Sequence, residues 1–462
     1  MDTSIDPILK NVKRVHFIGI GGSGMCPLAE ILHAKGYELS GSDNNETDTL
    51  ARIRSMGIPV VLGQKAENIE GAELIVYTAA LLPDNPELVA AKASGIPCFE
   101  RSKLLGAITR IYPDCFGVSG THGKTTVCAM LTQILIECSK DPTAVIGGKL
   151  PLTGTNGIVG SSKYMVCESC EFVDTFLDLT PDIAVILNVD ADHLDYFKTF
   201  ENLKNSFCKF ASSATKKVIY NGDDANTREV IGRINGKETI TFGLESTNDY
   251  YPKNLVIEKE LASFNIVAFG KDCGRVTLSI PGKHNVYNAL AAFACADYAG
   301  CDCSDIISAM ENFKGAGRRF EILARINGIT IADDYAHHPA ELEVTLKAAM
   351  NMGYKNVWAV FQPFTYSRTS MLFDDFVRVL SIPDHCVMTE IMGSREVNTY
   401  NIYTSDLAAK IPGSVWFDSF EGVADYSIKN ASEGDLIITL GCGDIYKAAK
   451  IMIKKLNAQE DK

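Results

Sequence analysis

The sequence predicts an α/β protein of three domains: an N-terminal Rossmann-like parallel sheet, a central P-loop-type ATPase domain and a C-terminal Rossmann-like α/β domain. Three observations carry this. At 462 residues the chain is too long for one hydrophobic core. Short β-rich apolar runs alternate with helix-like stretches along its whole length, the rhythm of a parallel sheet with helices on both faces. Two glycine-rich turns each follow such a run and open a helix, an arrangement that places phosphate groups against backbone N–H groups.

The first domain is expected over residues 1–108. Residues 15–20 (VHFIGI) read as a strand, 25–35 as a helix, and 38–42 and 73–78 (ELIVYT) as further strands. The second, over 109–316, opens with the run 115–119 (CFGVS) and a helix over 124–138, then has strands at 164–168, 183–189 and 217–220 and a helix at 285–299. In the third, over 317–462, runs at 329–332, 357–361, 386–389 and 435–440 alternate with helical spans.

Composition narrows the function classes. The apolar fraction of 46% and charged fraction of 22% are those of an ordinary globular protein. A net charge of -13 argues against a basic nucleic-acid-binding face, so a phosphate site must be built locally from backbone N–H groups and a few placed cations. The start MDTSIDPILKNVKR carries no export signal, and no run of about 18 apolar residues exists to cross a membrane. Fourteen cysteines without such a signal predict reduced thiols and a cytoplasmic protein. Cys167 and Cys170 form a lone CxxC without the second pair or redox context that metal or disulfide chemistry needs.

The strongest motif runs Ser119, Gly120, Thr121, His122, Gly123, Lys124, Thr125, Thr126 between a strand and a helix. Its backbone N–H groups suit a phosphate, Lys124 reaches the β- and γ-phosphates, and the Thr125 hydroxyl suits Mg²⁺. Val118 stands where the strict P-loop has its first glycine, so this is a variant loop. Glu168 and Glu171 follow one strand, and Asp190, Asp192, His193 and Asp195 follow another. Strand ends are where ligands bind in such sheets, and Mg²⁺ prefers oxygen ligands. A solvated acidic loop is the competing reading.

Gly19, Ile20, Gly21, Gly22, Ser23, Gly24 and Met25 follow the first strand, with Asp43 about twenty residues on. Alone this fingerprint would suggest an NAD-dependent dehydrogenase, but the same geometry holds any nucleoside diphosphate, including a UDP-sugar. His284, Asn285 and Asn288 open a helix and suit an adenine edge or a cap. Arg318, Arg319, Asp333, Asp334, Tyr335, His337, His338 and Arg368 add the charge that carboxylate or phosphate binding requires.

Taken in order, GTHGKTT, ADHLDYF (191–197), HNxxNALAA (284–292) and DDYAHHP (333–339), with GIGGSGM (19–25) and FQPFTYSRT (361–369), resemble the muramyl peptide ligases over nearly the whole chain, and the alanine-adding branch in particular. The resemblance implies an ATP-dependent ligase of peptidoglycan precursor synthesis, joining the carboxylate of UDP-N-acetylmuramate to L-alanine. Its first domain would bind the UDP-sugar, its second ATP with Mg²⁺, and its third the amino acid. It implies small-molecule partners only and a monomer or homodimer. Thr125, Glu168 and His193 would hold Mg²⁺; Lys124, His193, His337 and Arg318 would act in catalysis. Arg318 would also touch phosphate, with Tyr335, His337 and Arg368 for the amino acid. Relatives carry EADES-like text where this chain reads Glu168, Ser169, Cys170, Glu171, Phe172, which leaves Glu171 as the alternative metal ligand. A ligase attaching a recycled tripeptide to the same nucleotide is the rival within the family. A dehydrogenase would leave the Lys124 loop unexplained.

Overall fold

The computed structural model describes residues 4–394 and 396–460, without the side chains of Asp195, Gln459 and Glu460. It contains three sheets. The first is wholly parallel, in the order Val60–Leu62, Glu38–Asp43, Arg14–Ile18, Leu74–Tyr77, Cys98–Glu100. The strand order reverses at Arg14–Ile18, the place where open sheets of this kind leave a crevice for ligands. The glycine-rich turn that follows this strand sits there.

The second sheet has ten strands, with Ile183–Ile186, Asp114–Ser119 and Tyr164–Glu168 adjacent and parallel at its middle. All of Asp114–Ser119 is buried, as a strand covered on both faces must be, and that explains the run Cys115–Val118 without a polar side chain inside it. Hairpins extend both edges: Thr143–Leu150 with Thr155–Ile158, and Leu261–Ala268 with Lys271–Thr277. The third sheet runs Glu321–Ile326, Ile329–Asp334, Leu436–Leu440, Val357–Phe361, His385–Thr389, Val415–Phe417, parallel except for its first strand. Side chains alternate across it: Ala359 and Phe361 enter the core on one face, Trp358 and Val360 that on the other.

The C-terminal sheet is therefore mixed, and the edge hairpins are additions to the expected alternation of strand and helix. The chain divides into two compact units. One comprises Met1–Leu255, Ser263–Thr277 and His284–Phe313; the other comprises Val256–Ala262, Leu278–Lys283 and Lys314–Lys462. The first unit holds the first sheet and all of the second except residues 256–258 and 261–262. No helix among the described residues is long and apolar enough to cross a membrane.

Candidate active site

The strand Asp114–Ser119 ends in Gly120, whose φ of +144° lies outside what other residues adopt readily. A methyl group there would stand 2.9 Å from Leu187 Cβ. Gly123, at φ +90°, caps the helix Lys124–Glu137, and a methyl group on it would stand 2.5 Å from Asn288 Oδ1. The start of the helix His284–Tyr298 thus presses on the loop. There Asn288 donates to Asn285 Oδ1 at 2.8 Å, and burial with the neighbouring His122 lowers the pKa of His284.

Asn188, which the motif reading passed over, clamps this loop. Its Oδ1 accepts from His122 N at 2.8 Å, its Nδ2 donates to His122 O at 3.0 Å, and its backbone carbonyl accepts from Thr121 N at 3.1 Å. Thr121 Oγ1 also accepts from Asp190 N at 2.9 Å. The only sequence signal for Asn188 was its being the one polar residue in the apolar run 183–189, which ends as a strand at Ile186.

The two acids that the sequence left as alternatives have separate tasks. Glu168 accepts from the Thr125 hydroxyl at 3.0 Å and from Gly147 N at 2.7 Å. Glu171 is buried and pairs with Lys124 Nζ at 2.9 Å, while the same ammonium donates to the carbonyls of Gly120 and Thr121. Burial alone would lower the Lys124 pKa, but the facing Glu171 outweighs it and holds the ammonium above its usual range. His193 has a left-handed backbone at φ +53°, its ring lies 4.7 Å from that of Phe172, and its Nε2 stands 4.0 Å from Glu171 Oε1. Thr126 is half-buried in the first turn of the helix. The side chain of Asp195 lies outside the described residues.

A hydroxyl and a carboxylate in contact are the hard oxygen donors that Mg²⁺ takes when it also bridges phosphates, so Thr125 and Glu168 fit that ion. Among the described residues no group of three or more His, Cys, Asp or Glu forms a ready-made metal cage. That suits an ion whose remaining ligands come from phosphate and water.

At the N-terminal turn, Asp43 is placed differently from a simple ribose ligand. One of its oxygens accepts from Gly21 N at 2.9 Å and the other from Asn44 N at 2.8 Å, so it pins the turn itself. Ile20 and Met25 are buried core residues, so their side chains face away from any ligand and the backbone alone belongs to the turn. Gly19, at φ +83°, and Gly22 shape it, and Ser23 O accepts from Asn156 Nδ2 at 2.7 Å.

The second unit holds the remaining candidates. Arg318 Nε pairs with Asp333 at 2.8 Å, and Nη1 and Nη2 donate to the carbonyls of Gly443 and Gly441 at 3.1 and 2.5 Å. Its guanidinium lies 5.1 Å over the Tyr335 ring, so Arg318 holds the loop around Cys442 in place. Arg368 differs: its Nη1 is buried and has no hydrogen-bond partner. Such a donor calls for an explanation, and a bound carboxylate is one. His337 Nδ1 lies 3.2 Å from both Tyr335 O and Glu341 Oε2, which directs its proton there and leaves Nε2 as an acceptor. Burial lowers its pKa despite Glu341. His338 caps the helix Pro339–Asn351 with Glu341 in a capping box.

Fold and loop are those of an α/β enzyme that handles nucleotide phosphates, and in the second unit Arg368 carries a buried Nη1 without a partner. The model of the Mur ligase family catalytic domain matches residues 14–112, that of the Mur ligase middle domain 118–296, and that of the Mur ligase glutamate ligase domain 318–443. The chain belongs to the Mur ligase family. It is 42% identical over 458 residues to a UDP-N-acetylmuramate–L-alanine ligase of Acetivibrio thermocellus, covering 97% of each chain. Among solved structures it matches a UDP-N-acetylmuramate–alanine ligase of Thermotoga maritima with a TM-score of 0.82 and 27% identity, over 96% of this chain and 99% of that one. A murein peptide ligase of Psychrobacter arcticus shares the fold, with a TM-score of 0.74 and 22% identity over 96% and 99% of the two chains. The dehydrogenase reading of the first glycine turn falls with this assignment.

Proposed function

We propose that the chain is an ATP-dependent ligase that forms an amide between the lactyl carboxylate of UDP-N-acetylmuramate and L-alanine. The observation that carries this is the pairing at the phosphate loop, with Thr125 on Glu168 and Lys124 beside them. A carboxylate is a poor acyl donor because its leaving group is oxide. Transfer of the γ-phosphoryl group makes an acyl phosphate, and the amine of alanine then displaces phosphate.

Lys124 and the N–H groups of the loop from Gly120 to Thr125 stabilise the charge that spreads over the transferring phosphoryl group. Mg²⁺, held by Thr125 and Glu168, would neutralise phosphate oxygens when bound. His193, whose ring packs on that of Phe172 at the adjoining strand end, would be the third Mg²⁺ ligand beside Thr125 and Glu168, as its sequence position suggested. In the second unit Arg368 takes the alanine carboxylate with its open fork, and His337 Nε2 receives a proton from the alanine ammonium. Tyr335 and Arg318 keep that pocket in shape. The substrates are a nucleotide-linked sugar and ATP, which assigns the work to the cytoplasm and to peptidoglycan precursor synthesis.

The test is incubation of the protein with ATP, Mg²⁺, UDP-N-acetylmuramate and L-alanine, followed by phosphate release and product mass. Release that needs every component, with a product heavier by one alanine residue, is expected. Product with L-Ala-γ-D-Glu-meso-diaminopimelate and none with alanine would replace the reading by the recycling ligase.

A further inference from the structure

The N-terminal turn, though rich in glycine, offers few donors for a diphosphate. Gly19 and Ile20 donate to Ser42 O, Gly21 to Asp43, Gly22 to Gly19 O, and Met25 and Cys26 to Gly22 O. The following helix adds little, because Pro27 has no N–H and Leu28 and Ala29 both donate to Met25 O. Among the described residues this leaves the N–H groups of Ser23 and Gly24 with no acceptor. Two neutral donors are a weak site for two adjoining phosphates in a chain of net charge -13.

Gly24 itself points to what completes the site. Its φ is not left-handed, so its conformation does not require glycine. Space does. A methyl group on Gly24 would stand 3.2 Å from Arg101 Cδ and 3.3 Å from both Nε and Nη1, so the guanidinium lies against the glycine. In a dinucleotide fingerprint the third glycine usually serves helix-on-strand packing; here it admits a cation. The Arg101 side chain is half-buried, and no hydrogen bond or ion pair joins its guanidinium to a described residue.

Resting on the reading of the chain as a UDP-sugar ligase, we infer that Arg101 binds the diphosphate of the sugar nucleotide together with the N–H groups of Ser23 and Gly24. Arg101 is thus the placed cation of the first domain, as Lys124 is of the second. A planar fork suits the arrangement, since it spans oxygens of both phosphates where an ammonium meets one.

The experiment compares the full-length wild type with Arg101→Ala, Arg101→Lys and Gly24→Ala. Calorimetry follows uridine, UDP and UDP-N-acetylmuramate, and steady-state kinetics give KM for each substrate. Arg101→Ala should raise KM for UDP-N-acetylmuramate about 10–100-fold, the usual loss for a charged hydrogen bond, and leave KM for ATP nearly unchanged. Arg101→Lys should recover part of the loss, and Gly24→Ala should reproduce it by displacing the guanidinium. The decisive quantity is the preference for UDP over uridine, which should collapse in Arg101→Ala; a merely structural role would leave that ratio alone. An unchanged ratio, in a wild type that binds UDP-N-acetylmuramate, overturns the inference. A wild type that does not bind UDP-N-acetylmuramate overturns the sugar-nucleotide reading instead. Should Arg101→Ala fail to fold, the same ratio measured in Arg101→Lys and Gly24→Ala decides.

Discussion

Lys124, Glu168 and Glu171 lie within one loop's reach of each other, yet their substitutions should fail in different ways. Lys124→Ala removes the ammonium that faces the transferring phosphoryl group and should lower kcat by ~10²–10³, with the fold kept; near-normal turnover would remove the phosphate-loop assignment. Glu168→Gln leaves the Thr125 hydroxyl with a neutral partner, so the Mg²⁺ concentration for half-maximal rate should rise sharply. Glu171→Gln should leave that Mg²⁺ requirement near the wild-type value and instead lower the melting temperature, because it strands a buried ammonium. A Mg²⁺ titration across both variants separates the tasks, and the reverse pattern would exchange them. Arg368→Lys should raise KM for alanine about tenfold or more, as a point charge replaces a bidentate fork, with KM for ATP unaffected. The carboxylate role proposed for Arg368 rested in the sequence on its residue type alone. What the sequence could not supply was the contrast with Arg318, whose nitrogens are taken by Asp333, Gly441 and Gly443 while Arg368 Nη1 has no partner.

Central strands and the helices that follow glycine turns were the legible elements, because burial on both faces leaves continuous apolar text. Asp114–Ser119, Ile183–Ile186 and Val357–Phe361 are of this kind. The strands toward the two ends of the second sheet were not. Tyr250–Glu258 is exposed along most of its length, and Thr143–Leu150 continues into Gly147 and Gly148, so neither presents a hydrophobic period. Gly147 nonetheless donates to Glu168, so the support of the proposed metal ligand was hidden while Glu168 itself was visible. Asn188 was hidden for a similar reason: its value comes from a loop that is 66 residues earlier in the chain. Asn188→Ala removes two side-chain hydrogen bonds from the phosphate loop and should cost about 1–3 kcal/mol of stability. KM for ATP should rise with it, both being read by denaturation and kinetics on one preparation. A variant with unchanged stability and ATP affinity would show that the loop holds its shape without the clamp.

Across the whole molecule the proposed chemistry divides between two units, with phosphoryl transfer to the carboxylate assigned to the first and capture of the amine to the second. The pH dependence should report the second. Burial holds the His337 imidazole below its ordinary range. Its base form is therefore complete at neutral pH, and kcat should fall on acidification only below about pH 6.5; an acid limb above that value would exclude His337 as the base. Asp334 titrates in the other direction: burial raises its pKa to about 6, against the pull of Arg319 and the N–H groups of Ala336 and Phe320. The folded state thus binds this proton more tightly than the unfolded chain. The contribution is complete below the unfolded value near 3.8 and is lost as the pH rises to about 6. Subtracting the stability–pH curve of Asp334→Asn from that of the wild type should expose a fall confined to that interval. The central claim, however, is that the muramyl carboxylate is activated by phosphorylation before the amine attacks. The most direct measurement uses UDP-N-acetylmuramate labelled with ¹⁸O in that carboxylate, with ATP and L-alanine, and reads the mass of the released phosphate. An acyl phosphate transfers one carboxylate oxygen, so phosphate carrying a single ¹⁸O is expected, with the other label kept in the amide. Unlabelled phosphate alongside amide product would contradict the account.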